Sequence, residues 1–121
     1  DWGVTGVQTC ALPISGDFNP LHTDNEYAIS SGFHGKVCHG MLLGSFFSRL
    51  IGMYLPGKHA LHFSQSLKFV NPCIINEKVT VKGEVLDKSA ASKIITIKST
   101  ITNTSKKIIV DGTAYVKVRD N

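Results

Sequence analysis

At 121 residues the chain has room for one domain with a core of its own and not for two. Hydrophobic residues make up 42% of it, the ordinary share for a globular domain, and no apolar run approaches the roughly 20 residues that span a bilayer. The formal net charge is +4, with lysines scattered from Lys78 to Lys117 over polar strand positions and turns. That spread reads as a solvated face and not as the compact basic stripe of a nucleic-acid binder. We therefore expect neither nucleic acid nor a membrane as partner.

The chain opens on a segment that does not read as protein design. Val4 to Ile14, VTGVQTCALPI, is the in-frame translation of a common sequencing-adapter oligonucleotide. We set residues 1–14 apart as non-native, leave Cys10 out of functional reasoning, and take 15–121 as the domain. Asp1 is the only charge in the excluded part, so the remainder carries +5. Cys38 and Cys73 are then the remaining cysteines. They are far apart and lack a CxxC spacing, so they signal neither a zinc site nor a disulfide framework. A reducing cytoplasm is the expected setting.

The most informative run comes next: Ser15-Gly16-Asp17-Phe18-Asn19-Pro20-Leu21-His22. Pro20 has no N–H, so a regular helix cannot pass through this run, and Asn19 before it is pushed toward extended geometry. Asp17 and His22 are expected on one tight loop, facing one point in space. A carboxylate and an imidazole converging on a water are what general acid–base chemistry needs. Taken singly, Asp17 reads as a turn carboxylate bonding its own backbone, and His22 as a surface or core histidine.

Thr23 to Ser31 predicts a short helix capped by Thr23 or Asp24, with Glu26 in its first turn. Gly32, Gly35 and Gly40 mark a loop. From Met41 to Tyr54 a helix apolar on most sides follows, which predicts burial. Gly44 and Ser45 would let another element pack closely on it, and Pro56-Gly57 ends it. The period then changes to two. Leu61, Phe63, Leu67 and Phe69 alternate with polar residues, as do Val79 to Val85, Ile95 to Ile101 and Ile108 to Val118. These read as half-buried strands. Turns at Asp87–Ser92 and Asn103–Lys107 make the last three an antiparallel meander. A buried helix followed by such a sheet is an α+β arrangement.

The stretch SGDFNPLHTD (Ser15–Asp24), then FHGKVCHGMLLGSFFSRLIGMYLPG (Phe33–Gly57) and LHFSQSLKFVNP with the strands after it, resembles the MaoC-like, or R-specific enoyl-CoA hydratase, family. The resemblance covers nearly everything from Ser15 to Val118. It implies a hotdog fold, an antiparallel sheet wrapped around a central helix, here lacking the native N-terminal strand and helix. It implies reversible syn hydration of trans-2-enoyl-CoA to (R)-3-hydroxyacyl-CoA, in metabolism of the fatty acid or polyhydroxyalkanoate type. Asp17 and His22 match the catalytic pair, and Gly40 the glycine whose amide receives the thioester oxygen at the helix start. By itself Gly40 reads equally as a loop-to-helix glycine. The resemblance also implies a homodimer with the acyl tunnel near the subunit contact. It implies no cofactor, coenzyme A being part of the substrate; acyl-carrier protein is the other thiol carrier.

Softer candidates remain. Asn19 either orients the loop through its amide or is a plain turn residue. Ser48 aligns with a position near the family's acyl pocket, although a helix serine commonly bonds its own backbone. Gln65 either points toward the helix start or satisfies a backbone group. His39 reads as structural, and His34, His59 and His62 as surface or loop residues. No HxH, HExxH or carboxylate cluster signals a metal. Fold alone leaves open a hotdog thioesterase, an acyl-carrier-protein dehydratase, or, in another class, a non-catalytic acyl-CoA-binding module.

Overall fold

The period-two segments form one six-stranded antiparallel sheet. In this computed structural model, which describes residues 2–4 and 15–120, the strands are β1 (Trp2–Val4), β2 (Ala60–Gln65), β3 (Lys68–Phe69), β4 (Val79–Ser89), β5 (Ile94–Asn103) and β6 (Ile108–Val118). Their order is β1-β4-β5-β6-β2, with β3 also paired to β6. The meander expected of the last three strands is present. β1 lies antiparallel on β4, Trp2 opposite Val81 and Val4 opposite Val79, so three residues of the N-terminal segment enter the sheet. The rest of the adapter-like segment, Cys10 included, lies outside the described residues.

Helices α1 (Pro20–Thr23), α2 (Asn25–Ser30) and α3 (Gly40–Met53) accompany the sheet. α3 lies against β2, β4 and β6. Leu43, Phe46, Phe47 and Leu50 pack with Val79, Val81, Ile101 and Val110. One turn on, Ile51 packs with Ile97, Ala114 and Val116. Phe47 and Ile51 are sealed from solvent, and burying such a side chain stabilises the fold by about 1.5–3 kcal/mol. The hotdog arrangement is thus in place. Gly44 does what its size predicts: a Cβ there would stand 2.9 Å from Leu67 Cδ1, so the β2–β3 connection rests directly on the helix.

Several expectations need correction. Pro20 starts a helix and does not merely forbid one: it occupies the first turn of α1, where its missing N–H leaves no bond unmade. His22 therefore sits on a one-turn helix, not in the loop proper. Of the two residues expected to cap α2, Asp24 does so, accepting from the Tyr27 N–H at 3.2 Å. The turn drawn over Asp87–Ser92 is shorter, because β4 continues through Asp87, Lys88 and Ser89 beyond a bulge that absorbs Leu86. The strand expected from Leu61 to Phe69 is broken in two, and its apolar residues part ways: Leu61, Phe63 and Phe69 are about half exposed, while Leu67 packs on the core. α3 is not buried all round either, since Met41, Met53 and Tyr54 face solvent.

Candidate active site

The site is built where the Asp17 loop, the start of α1 and the start of α3 meet. Asn19 supplies the first hinge. Its Oδ1 accepts the Leu21 N–H at 2.9 Å, capping α1. Asn19 thus orients the loop through its side-chain amide. Its own N–H donates to Asp17 Oδ1 at 3.2 Å, the side-chain-to-backbone turn that aspartate favours. One carboxylate oxygen is held, and the other, Oδ2, faces two imidazoles.

The first imidazole is His22. Its Nδ1 lies 2.6 Å from the Val37 carbonyl. A carbonyl only accepts, so Nδ1 carries the proton, and in the neutral ring Nε2 offers its lone pair. That nitrogen is 3.5 Å from Asp17 Oδ2. The second is His39, buried, its ring stacked on His22 with centroids 3.9 Å apart and planes 25° from parallel. His39 Nε2–H donates to the Asp17 backbone carbonyl at 2.8 Å and stands 3.8 Å from Oδ2. Both imidazole-to-Oδ2 gaps exceed a direct hydrogen bond, so Oδ2 keeps its capacity to exchange a proton with something placed between.

His39 is the residue that sequence reasoning undervalued. It carries the second tether of the loop, across 22 positions. The only hint was its place beside Gly40. Asp17, His22 and His39 also offer three donor atoms within 4.8 Å of one another, a cluster no spacing rule revealed. As bonded here, His39 Nε2 carries its proton to the Asp17 carbonyl, so the three do not present three lone pairs to a cation.

Gly40 opens α3. His39, its N-cap, makes no side-chain cap bond, so the first amides of α3 point out unclaimed by a capping side chain. Their dipole favours negative charge. A Cβ on Gly40 would lie 2.8 Å from Phe69 Cε1. The missing side chain lets that ring close over the helix start.

A cavity of about 1080 Å³ opens here, its wall including Asp17, His39, Gly40, Leu43, Phe69 and Val70. The size suits an extended acyl thioester. His22 is not part of the wall, and its Nε2 reaches the site beside Asp17 Oδ2. Ser48 is exposed and takes no part in the wall; Ser45, one turn earlier, does, with its hydroxyl donating to the Leu42 carbonyl at 2.5 Å. Helix phase decides between them. Gln65 satisfies a backbone group: Nε2 donates to the Ser66 carbonyl at 2.8 Å, and Oε1 lies 3.0 Å from His62 Nε2. His62 is therefore half-buried and engaged, whereas His34 and His59 are exposed.

A hotdog sheet around one helix, with a carboxylate and imidazoles at the helix's uncapped start, defines a class: an acid–base site at the mouth of an apolar cavity. Comparison with known proteins narrows it. The MaoC like domain profile matches residues 12–107, and the chain belongs to that family. It is 39% identical over 105 residues to an (R)-specific enoyl-CoA hydratase of Aeromonas caviae, covering 87% of this chain and 78% of that protein. An (R)-specific enoyl-CoA hydratase of Rhodospirillum rubrum is 36% identical over 105 residues, covering 87% and 72%. Among solved structures, the (R)-hydratase from A. caviae involved in PHA biosynthesis superposes with a TM-score of 0.90 at 35% identity, covering 97% of this chain and 91% of that one.

Proposed function

We propose that this protein is a hydro-lyase that reversibly hydrates trans-2-enoyl-CoA to (R)-3-hydroxyacyl-CoA, in fatty acid or polyhydroxyalkanoate-type metabolism. The observation that carries this reading is the 3.5 Å approach of His22 Nε2 to Asp17 Oδ2, beside an apolar cavity and the first amides of α3. The (R)-specific hydratases it is similar to supply the substrate class and the stereochemistry.

The reaction needs one proton removed from water as its oxygen bonds to C3, and one proton added to C2. Asp17 Oδ2 and His22 Nε2 flank the water. One proton enters this pair from the water and one leaves it for C2, so the pair ends as it began. The thioester oxygen gathers charge as C2 becomes enolate-like, and the Gly40 amide receives it. Water and these groups suffice, with coenzyme A arriving as part of the substrate; an acyl-carrier-protein thioester presents the same reacting atoms. Among the described residues no helix is long and apolar enough to cross a membrane. The free thiols Cys38 and Cys73 suit the reducing cytoplasm as the proposed setting. We also propose a homodimer. β2 is a sheet edge, and it presents Leu61 and Phe63, the latter in ring contact with Tyr115 on β6, as an apolar surface for a second copy.

The test follows the enoyl-thioester absorbance of crotonyl-CoA on adding the full chain, with chiral analysis of the product. Loss of absorbance, formation of the R alcohol and no free thiol are expected, and Asp17→Asn should abolish the change. Release of free coenzyme A would replace this reading with a thioesterase. Binding of crotonyl-CoA without turnover would replace it with a ligand-binding module.

A further inference from the structure

Two thiols meet in the wall of the cavity, and the hydration chemistry uses neither. Cys38 and Cys73, 35 positions apart, both line it. They are brought together by a short antiparallel bridge outside the sheet, Val37 opposite Ile74. The Ile75 N–H donates to the Lys36 carbonyl at 2.9 Å on one side, and the Cys38 N–H to the Cys73 carbonyl at 2.7 Å on the other. Cys38 and Cys73 are therefore directly opposed cross-strand partners, with side chains on one face. Partners in this position have Cα atoms about 5.5 Å apart, inside the roughly 4.4–6.8 Å that a disulfide spans. Both cysteines are unpaired thiols.

Their environments differ in the way an attacking and a resolving thiol differ. Cys38 is half-buried and reached from the cavity, whereas Cys73 is 2% exposed. The Cys73 thiol donates to the Ile74 carbonyl at 3.7 Å. Its proximity holds the Cys38 thiol below its ordinary range, against burial and the Glu77 charge. The Cys38 sulfur, with burial, pushes Cys73 far up. Thiolate character and access choose which cysteine is oxidised first.

We propose that Cys38 and Cys73 are an oxidation site, which a hydroperoxide entering the cavity converts to a disulfide that switches the hydratase off reversibly. The Cys38 thiolate attacks a peroxide oxygen. The O–O bond breaks, the sulfur loses two electrons to become the sulfenic acid, and the alkoxide or hydroxide leaves to take up a proton. Cys73 then attacks the Cys38 sulfur. Its S–H proton and the sulfenic hydroxyl leave together as water, and the S–S bond forms. A dithiol reductant reverses the step by exchange. Turnover responds because Cys38 is continuous with His39, which tethers Asp17, and with Gly40, which opens α3. Drawing the Cys38 sulfur to bonding distance moves that segment, and a displacement of about 1 Å in a catalytic constellation costs on the order of 10²-fold in rate. The effect on turnover rests on the hydratase reading; formation of the disulfide does not.

The full chain, reduced and then treated briefly with hydrogen peroxide, is alkylated and digested with trypsin. Residues 37–49, 69–78 and 1–36 fall in separate peptides, carrying Cys38, Cys73 and Cys10. The expected result is 37–49 joined to 69–78 with the loss of two hydrogens. A fall in crotonyl-CoA turnover on the order of 10²-fold should accompany it and be restored by dithiothreitol. Cys73→Val should remove the link and let Cys38 proceed to the sulfinic acid; should that variant not fold, Cys38→Ala should leave Cys73 reduced and turnover insensitive to peroxide. Peptides 37–49 and 69–78 recovered fully alkylated, or a link through Cys10, would overturn the proposal, as would the expected link with turnover unchanged. Should the reduced chain not hydrate crotonyl-CoA at all, the hydratase reading fails while the peptide map still decides the disulfide.

Discussion

The segment from Ser15 to Gly40 and the meander from Val79 to Val118 are held by different forces. The meander is a continuous ladder, β4 on β5 on β6, whose inner face is pressed on α3 by Ile97, Ile101, Val110 and Val116. The site segment has two short helices, few buried apolar side chains and a set of single polar tethers: Asn19 on Leu21, His22 on Val37, His39 on Asp17. Apolar burial is large but unspecific in direction, whereas one hydrogen bond is worth about 0.5–1.5 kcal/mol net and fixes an atom. The meander supplies stability, and the tethers supply position.

Substitutions in each region should therefore move different observables. The largest effect is expected from Asp17→Asn, with turnover of crotonyl-CoA down by about 10²–10⁴-fold. Its urea midpoint should stay near that of the parent; a large midpoint shift would show that Asp17 also stabilises the fold. Phe47→Ala should do the reverse, lowering the unfolding free energy by about 3–5 kcal/mol in urea titration, while the protein that stays folded keeps its KM. Gly40→Ala is expected to cost turnover on the order of 10²-fold, because the new methyl meets the Phe69 ring. Combining it with Phe69→Leu should recover part of the loss, and no recovery would place the clash elsewhere. Asn19→Ala should be the smallest, about 1 kcal/mol of stability from the lost cap. Turnover should fall by no more than that figure implies, since the N–H that steadies Asp17 belongs to the main chain and survives the substitution; a much larger loss of turnover would blur the division between the regions.

What could be read beforehand follows the same division. The meander was legible because period two is a local property, and because turn residues such as Asn103 sit at its corner. The Asp17 to His22 run was legible because proline's limits are local too. What escaped depended on approach through space. Alternation showed that Leu61 and Phe63 share a face but not which face the helix covers. His39 gained its importance from a carbonyl 22 positions away, and the meeting of Cys38 with Cys73 from a bridge no spacing rule describes. Ser48 failed against Ser45 by under one helical turn, a phase set by how α3 lies on the sheet. Asp87 to Ser89 are polar and suggest a long turn after β4, but the bulge at Leu86 lets the strand run on.

His39 grips the Asp17 main chain, and Asn19 claims only one of its two carboxylate oxygens. The loop's address is thus written in the peptide, and its reactivity in a single free atom. A different side chain installed at position 17 would inherit the mooring to His39 and keep its place in the cavity wall. The scaffold can accordingly be given new chemistry at that atom without being rebuilt, which makes this loop a natural point of departure for altering what the site does.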